Sequence, residues 1–284
     1  MEFSWELAES ILILLMAGSL AGIMAGLLGI GGGIILVPPL VFVFDLMQVS
    51  EAVIPHLAIG TSLATIIATS LSSAKAHLKR GSVDQQLLKY SLIPTSLGAG
   101  FGGFVAGSLS GGVLAMIFGF MAVVVSVRMI IPSNASNEIV HEPNRFLIGN
   151  LTGLTGIISA MVGIGGGAMN VPFMSMMGIK MHQAVGTSAS LGFVIALPGT
   201  VGFIVSGWEN PNLPEFSFGF IHWLAALCIC LMTVILAPTG RDNFPSIRYQ
   251  KIETSFWDIS ADYRDANSLE TLVLMPSNDP RHTI

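Results

Sequence analysis

Apolar runs separated by short polar segments occupy most of the chain. The runs span residues 11–28, 34–44, 54–76, 87–109, 111–131, 145–162, 168–178, 184–206 and 216–238. A helix that crosses the hydrocarbon core of a bilayer needs about 20 predominantly apolar residues. Backbone groups in lipid must also be paired internally, which favours helices over open strands. The pattern therefore predicts an all-α fold, namely a polytopic membrane helix bundle.

The two shortest apolar runs each follow a glycine-rich segment. The sequence GIGGG occurs at residues 29–33 and 163–167, and it is followed by Pro38 and Pro172 respectively. Consecutive glycines allow the backbone to leave helical geometry, and non-helical backbone at membrane depth persists only inside protein or beside a water-filled cavity. We therefore predict a broken helix hairpin at each segment, with Pro38 and Pro172 shaping the structural break. Close packing of small residues against a neighbouring helix is the alternative.

A second motif repeats in the same order as the first. GTSLATIIATS at residues 60–70 can be laid over GTSASLGFVIA at residues 186–196, and the alignment then places Gly81 opposite Gly207. Motifs that recur in order indicate duplication, and paired Gly/Pro-interrupted segments are typical of the binding sites of secondary transporters. The predicted domains are a first membrane repeat at 8–131, a connecting loop at 132–144 and a second membrane repeat at 145–240.

The distribution of positive charge predicts how the repeats are oriented. Lys75, Lys79, Arg80 and Lys89 lie around the end of the run 54–76, which favours a cytoplasmic loop. The corresponding loop at 206–215 contains two Glu and no Lys or Arg, which favours the outside. Corresponding loops on opposite sides of the membrane indicate an inverted repeat.

The chain changes character after residue 240. Charge density rises in segment 241–284, and no apolar run long enough to cross a membrane follows. The first repeat ends in a helix pair at 87–131, whereas the second has only the run 216–238 as its counterpart. We therefore expect the second repeat to lack a final helix. The polar tail is either native and disordered or the product of a frameshifted or truncated reading frame.

Composition supports a membrane protein and limits its partners. Hydrophobic residues make up 52% of the chain and charged residues 10%, against about 25% charged residues in soluble domains. The net charge of -5 argues against a nucleic-acid partner. The expected partners are the lipid bilayer and a small anionic solute, with a homo-oligomer left open. No nucleophile–base pair, metal-ligand spacing or cofactor motif stands out, so we expect no enzyme activity, no metal and no cofactor.

Backbone donors at the glycine-rich segments are the predicted anion-binding chemistry. A half-helix that begins after the glycines carries about half a positive charge and several unpaired N–H donors at its N-terminus. Thr61 and Ser62, like Thr187 and Ser188, follow a glycine and are expected to open an apolar helix. Their hydroxyls either cap that helix or donate to a substrate oxygen.

One amide and one histidine add further candidates. Asn170 stands where the first repeat has Leu36, and it is either a ligand group or an interhelical contact. His222 is either a proton-coupling group or an interfacial residue beside Trp223. The candidate substrate-binding residues are the glycines, hydroxyls and amide of the two motifs: Gly31, Gly32, Gly33, Thr61, Ser62, Gly165, Gly166, Gly167, Asn170, Thr187 and Ser188.

The doubled motifs resemble those of the TauE/SafE family of sulfite exporters. The residues that carry the resemblance are GLLGIGGGIILVPPL, GTSL and their second copies GIGGGAMNVP and GTSAS, and the likeness extends over residues 10 to 240. It implies an ATP-independent carrier of a small sulfur-containing anion such as sulfite, thiosulfate or sulfoacetate. It also implies a multi-pass protein of the cell membrane, as in the bacterial inner membrane. The alternatives are a carrier or channel for another small solute, or a non-transporting, degenerate membrane protein.

Overall fold

Nine α-helices make up nearly all of the regular structure in residues 11–20, 33–130 and 145–242, which are the residues that the computed structural model describes. In chain order they are α1 Ile11–Leu20, α2 Gly33–Leu46, α3 Ile54–Lys79, α4 Gln85–Ser108, α5 Gly111–Ile130, α6 Arg145–Val162, α7 Gly167–Met176, α8 Met181–Gly207 and α9 Trp223–Asp242. The predicted all-α fold is confirmed. The predicted connecting loop 132–144, Gly31, Gly32 and the tail beyond residue 242 lie outside the described residues.

Several of these helices have the length or apolar character of membrane segments. Both α3 and α8 are long and apolar enough to cross a bilayer, and shorter apolar helices occur in α1, α2, α5, α6 and α9. Large apolar side chains point outward on α4 and α5, with Leu97 71% exposed, Phe120 69% and Met116 68%. Contiguous exposure of this kind marks a surface that is covered by something other than water. The structure is therefore a membrane-helix bundle whose outer faces suit lipid.

Glycines allow α4 and α6 to pack backbone against backbone. A Cβ atom on Gly98 would overlap with the carbonyl oxygen of Gly153, and a Cβ atom on Gly102 would lie 2.8 Å from the Cα atom of Ile157. Membrane helices gain little from hydrophobic burial against each other, so small residues that permit close approach hold them together. α4 also packs along α8, so that this helix of the first repeat lies against two helices of the second.

The sequence GTS occurs in α3 at residues 60–62 and in α8 at residues 186–188, and these two GTS motifs lie on helices that run antiparallel. Gly60 near the start of α3 lies against Phe203 near the end of α8, with 3.4 Å between a Cβ atom on Gly60 and that of Phe203. Farther along α3, Ser70 lies against Gly192 in the middle of α8, at 3.2 Å. Equivalent helices must be antiparallel when repeats are related by an axis in the membrane plane. The arrangement is the one that an inverted repeat requires, and the orientation in a membrane stays a prediction.

The last described helix begins later than the apolar run predicts. The run 216–238 was expected to be one helix, but α9 starts at Trp223. The residues before it form a tight turn, in which Phe216 and Gly219 have positive φ values of 63° and 57°. Gly81 has a similar φ of 66° just before α4. Gly219 thus has before α9 the backbone conformation that Gly81 has before α4, while Gly207, which the sequence alignment places opposite Gly81, ends α8.

Candidate functional site

The chain leaves helical geometry at the glycines of the second repeat. α6 ends at Val162, and Gly163 adopts a left-handed φ of 69° that favours glycine. Two bonds close the helix end: Gly163 N–H donates to the Ala160 carbonyl at 3.3 Å, and Ile164 N–H donates to the Ser159 carbonyl at 3.0 Å. This is the Schellman pattern. A new helix, α7, begins at Gly167, so the break predicted in this segment is present.

The prolines lie inside the half-helices that follow the glycines. Pro172 is within α7, and Pro38 with Pro39 is within α2, which begins at Gly33. A proline within a helix removes one intrahelical hydrogen bond. In the second repeat, the glycines rather than Pro172 occupy the break.

Gly33 of the first repeat meets the glycine-rich segment of the second in the interior of the protein. A Cβ atom on Gly33 would overlap with the carbonyl oxygen of Gly163 and lie 3.2 Å from the nitrogen of Gly165. Gly33 and residues 163–167 are all buried. The Ser62 hydroxyl lies between the segments and is within donating distance of the carbonyls of Gly33 (3.3 Å) and Gly163 (3.1 Å). Ser62 thus links the repeats through backbone oxygens of both segments.

A small recess lies beside the start of α7. It is lined by residues of both repeats: Ser70, Ser73, Gly166, Gly167, Ser188, Ala189 and Gly192. The Ser188 hydroxyl donates to the Gly166 carbonyl at 2.9 Å, which fixes the glycine segment against α8. The first backbone bond of α7 runs from Asn170 N–H to the Gly166 carbonyl at 2.8 Å. The N–H groups that precede Asn170 therefore have no intrahelical acceptor, as at any helix N-terminus.

The side chain of Asn170 adds an unpaired donor to this helix end. Asn170 is fully buried, and its Oδ1 accepts from the Thr155 hydroxyl at 2.6 Å. Its Nδ2 has no hydrogen-bond partner, and it would lie 3.0 Å from a Cβ atom on Gly166. Leaving such a buried donor unpaired costs about 1–3 kcal/mol. A ligand acceptor at the start of α7 would remove that cost.

Among the lysines and arginines whose side chains the structure describes, none enters the interior around this helix end. Lys75, Lys79, Arg80, Lys89 and Lys180 are all exposed. Within the same ranges, no three His, Cys, Asp or Glu side chains converge as metal ligands would. The donors available to an anion there are N–H groups, hydroxyls and one amide. Such uncharged donors bind strongly where water is excluded, because the effective dielectric constant is low.

The threonines of the two GTS motifs make the same kind of contact: each accepts the backbone N–H of a residue that directly precedes another helix. Thr61 Oγ1 accepts from the backbone N–H of His222, and Thr187 Oγ1 accepts from that of Asp84, both at 3.0 Å. Asp84 is the N-cap of α4, and His222 immediately precedes α9. Thr61 of α3 thus anchors the N-terminus of α9 in the second repeat, and Thr187 of α8 anchors the N-terminus of α4 in the first.

The expectation that these motifs open a helix is wrong. α3 begins at Ile54 and α8 at Met181, so Thr61 and Thr187 lie well inside helices. Neither helix has a side-chain cap at its N-terminus. The threonine hydroxyls therefore serve a neighbouring helix instead of their own.

The glycine of each GTS motif makes room for the loop that carries this N–H donor. A Cβ atom on Gly60 would overlap with the carbonyl oxygen of Phe220, and one on Gly186 would overlap with that of Ser82. The motif therefore has three separable roles. The glycine admits a loop backbone, the threonine accepts its N–H, and the serine donates to a carbonyl of a glycine-rich segment.

His222 makes two further contacts at the N-terminus of α9. Its Nδ1 accepts from Ala225 N–H at 3.2 Å, and its ring lies 5.5 Å from that of Phe44 between centroids. The side chain is 3% exposed, and Nε2 has no partner. The ring thus caps α9 from the interior, which neither of the two sequence interpretations anticipated.

Sequence reasoning missed several residues around the recess: Ser73, Thr155, Ala189 and Gly192. The repeat alignment contained a signal for two of them. Ala189 and Gly192 align with the bulky Leu63 and Ile66 of the first repeat. Small residues opposite bulky ones indicate that one copy is more open than the other.

Known proteins similar to this chain are membrane transporters by name. The sequence profile of the family described as sulfite exporter TauE/SafE matches residues 14–254. A probable membrane transporter protein of Haemophilus influenzae is 36% identical over 87% of this chain and 93% of its own length. Another, YunE of Bacillus subtilis, is 30% identical over 71% of this chain and 81% of its own. No solved structure matches the chain significantly.

Proposed function

We propose that this membrane transporter, which belongs to the sulfite exporter TauE/SafE family, is a secondary carrier of a small sulfur-containing anion. Sulfite, thiosulfate and sulfoacetate-like anions are the substrate class. The protein lies in the cell membrane as a multi-pass protein, as in the bacterial inner membrane, and two inverted repeats enclose the path. No phosphate-binding P-loop motif occurs in the sequence, which fits a carrier driven by a gradient.

The observation that carries the proposal is the unpaired, buried amide of Asn170 at the start of α7. The oxygens of a sulfur oxyanion are hydrogen-bond acceptors, and the first turn of α7 and Asn170 Nδ2 are donors. A helix N-terminus is in addition electrostatically favourable for an anion, with about half a positive charge. Donors that lack protein partners are therefore matched to a solute rich in acceptors.

The proposed binding set is a part of the sequence-predicted one. It keeps Gly166, Gly167 and Asn170, which lie at the start of α7. It also keeps Ser188 and adds Ser70, as lining residues only, since their hydroxyl protons are already donated to the carbonyls of Gly166 and Ile66. Thr61 and Thr187 are left out because they do not line the recess and instead hold the loops before α9 and α4. Gly33 is left out because the backbone of Gly163 packs against it.

The test is a flux assay with purified protein in liposomes, using radiolabelled sulfite, thiosulfate and sulfate with and without a proton gradient. Wild-type protein is expected to move sulfite or thiosulfate faster than protein-free liposomes do. Asn170→Leu introduces the side chain that the first repeat has at this position, and it should lower the flux at least tenfold. Asn212→Leu, at an exposed loop position, is the matched control and should leave the flux unchanged.

Two results would contradict the proposal at different points. Wild-type liposomes that move none of the sulfur anions would overturn the substrate class and favour another solute or a non-transporting protein. Wild-type flux that survives Asn170→Leu would keep the transporter and overturn the location of its site.

A further inference from the structure

The recess beside α7 has an equivalent position in the first repeat, and there it is filled by side chains. Ala189 and Gly192 of the second repeat align with Leu63 and Ile66 of the first. Both Leu63 and Ile66 have no exposed surface. Ile66 Cδ1 would lie 2.6 Å from a Cβ atom on Gly33, at the start of α2. The aliphatic side chain thus occupies the space that the second repeat leaves open.

A second contact fills the same space from the other side. Leu63 Cδ1 would lie 3.3 Å from a Cβ atom on Gly199 of α8, which aligns with the recess residue Ser73 of α3. The position that Ser73 has beside the recess is thus taken by Gly199 in the first repeat, where Leu63 packs against it. No hydroxyl group takes the position of Ser73 there.

The amide is also absent from the first repeat. Leu36 stands at the position of Asn170 and is 1% exposed, within the apolar cluster of α2 and α3. The N-terminus of α2 therefore faces a leucine where the N-terminus of α7 faces an unpaired amide. Both helices begin at a glycine, but the donor beside Gly33, the Ser62 hydroxyl, is paired with carbonyls, whereas the Asn170 amide of α7 is unpaired.

We infer that the carrier binds a single anion, in the recess of the second repeat, and that Leu36, Leu63 and Ile66 plug the equivalent position of the first. The inference rests on the proposed function and assigns specificity to the residues that differ between the copies. Gly192 keeps the recess open, and Asn170 supplies the donor that the first repeat lacks. Gly33, the described glycine of the first repeat, has a structural role, since its carbonyl and that of Gly163 share the Ser62 hydroxyl.

The experiment counts bound sulfite. Purified protein in detergent is equilibrated with radiolabelled sulfite, and the number of ions per chain and the dissociation constant are measured. Wild-type protein should bind one sulfite. Gly192→Ile gives the second repeat the side chain of the first and should weaken binding at least tenfold. Gly112→Ile is the matched control, because a Cβ atom there meets nothing within 4 Å, and it should bind as wild type does.

Folding is monitored so that the result stays interpretable. If Gly192→Ile elutes as aggregated protein, Gly192→Ala replaces it, since a Cβ atom at Gly192 lies 3.2 Å from Ser70 Cβ and needs only a small shift. This milder variant should weaken sulfite binding about threefold. Ile66→Ala in the first repeat should keep one bound sulfite with an unchanged dissociation constant.

The inference and the function on which it rests fail in different ways. Two sulfite ions per wild-type chain would overturn the single-site inference and leave transport intact. So would one ion whose binding resists Gly192→Ala or Gly192→Ile but is lost in Ile66→Ala. Wild-type protein that neither binds sulfur anions nor transports them would overturn the proposed function itself.

Discussion

Replacing Thr61 by valine separates a structural role of its hydroxyl from a role in solute binding. The two side chains have nearly the same shape, so the change removes the oxygen that accepts the N–H of His222 at 3.0 Å. Thr61 is fully buried, and His222 is 3% exposed. Water therefore cannot replace the lost acceptor, and the N–H remains unpaired.

The expected cost follows from that burial. A buried donor left without a partner destabilises a protein by about 1–3 kcal/mol. By the scaling for chains of this size, that corresponds to a fall in melting temperature of roughly 2–12 °C. Thr187→Val removes the acceptor of Asp84 N–H, which lies at a half-buried helix end. Water can reach that N–H group, so the loss of folding free energy should be smaller, about 0.5–1.5 kcal/mol.

The assay is thermal unfolding in detergent, followed by size-exclusion chromatography, beside sulfite flux in liposomes. Thr61→Ser keeps the acceptor oxygen and should melt within a few degrees of wild type. Thr61→Val should melt earlier, with an unchanged half-saturation concentration of sulfite. A Thr61→Val protein that melts like wild type but needs far more sulfite for half-maximal flux would refute the structural role.

Two glycine substitutions test the backbone packing, and one cysteine-labelling experiment tests the orientation of the repeats. Gly186→Ala should destabilise the protein by about 1–3 kcal/mol in the same melting assay, because its Cβ would overlap with a loop carbonyl, whereas Gly112→Ala should not. Gly163→Ala should cost roughly 1–2 kcal/mol, because its φ of 69° is left-handed. Cysteines at the exposed positions Gln85 and Asn212 should be labelled from opposite sides of the membrane, and labelling from one side would exclude inversion.

Local signals allowed the bundle and its break to be predicted from the sequence. Long apolar runs and consecutive glycines act on the backbone where they occur, so the end of α6 at Val162 and the start of α7 at Gly167 follow from residues 163–167 alone. The start of α3 also had a local signal that the prediction overlooked. Pro55 lies in the first turn of that helix, a position that proline favours.

Contacts between residues that are far apart in the chain could not be predicted from the sequence. The partner of Thr61 is His222, 161 residues away, and that of Thr187 is Asp84, 103 residues away. Nothing in the sequence around Thr61 or Thr187 identifies such a distant partner. The late start of α9 was hidden for a different reason. The turn before Trp223 contains three Phe and one Ile, so hydropathy does not distinguish it from a helix, although Gly219 is a turn residue.

Crystals grown with selenite, a heavier analogue of sulfite that scatters anomalously, test the central claim most directly. The account predicts one anomalous peak per chain within hydrogen-bonding distance of Asn170 Nδ2 and the first N–H groups of α7. It predicts no peak beside Gly33. A peak at α2 or far from both glycine-rich segments would contradict the account, as would glycine-rich segments that continue as unbroken helices facing lipid.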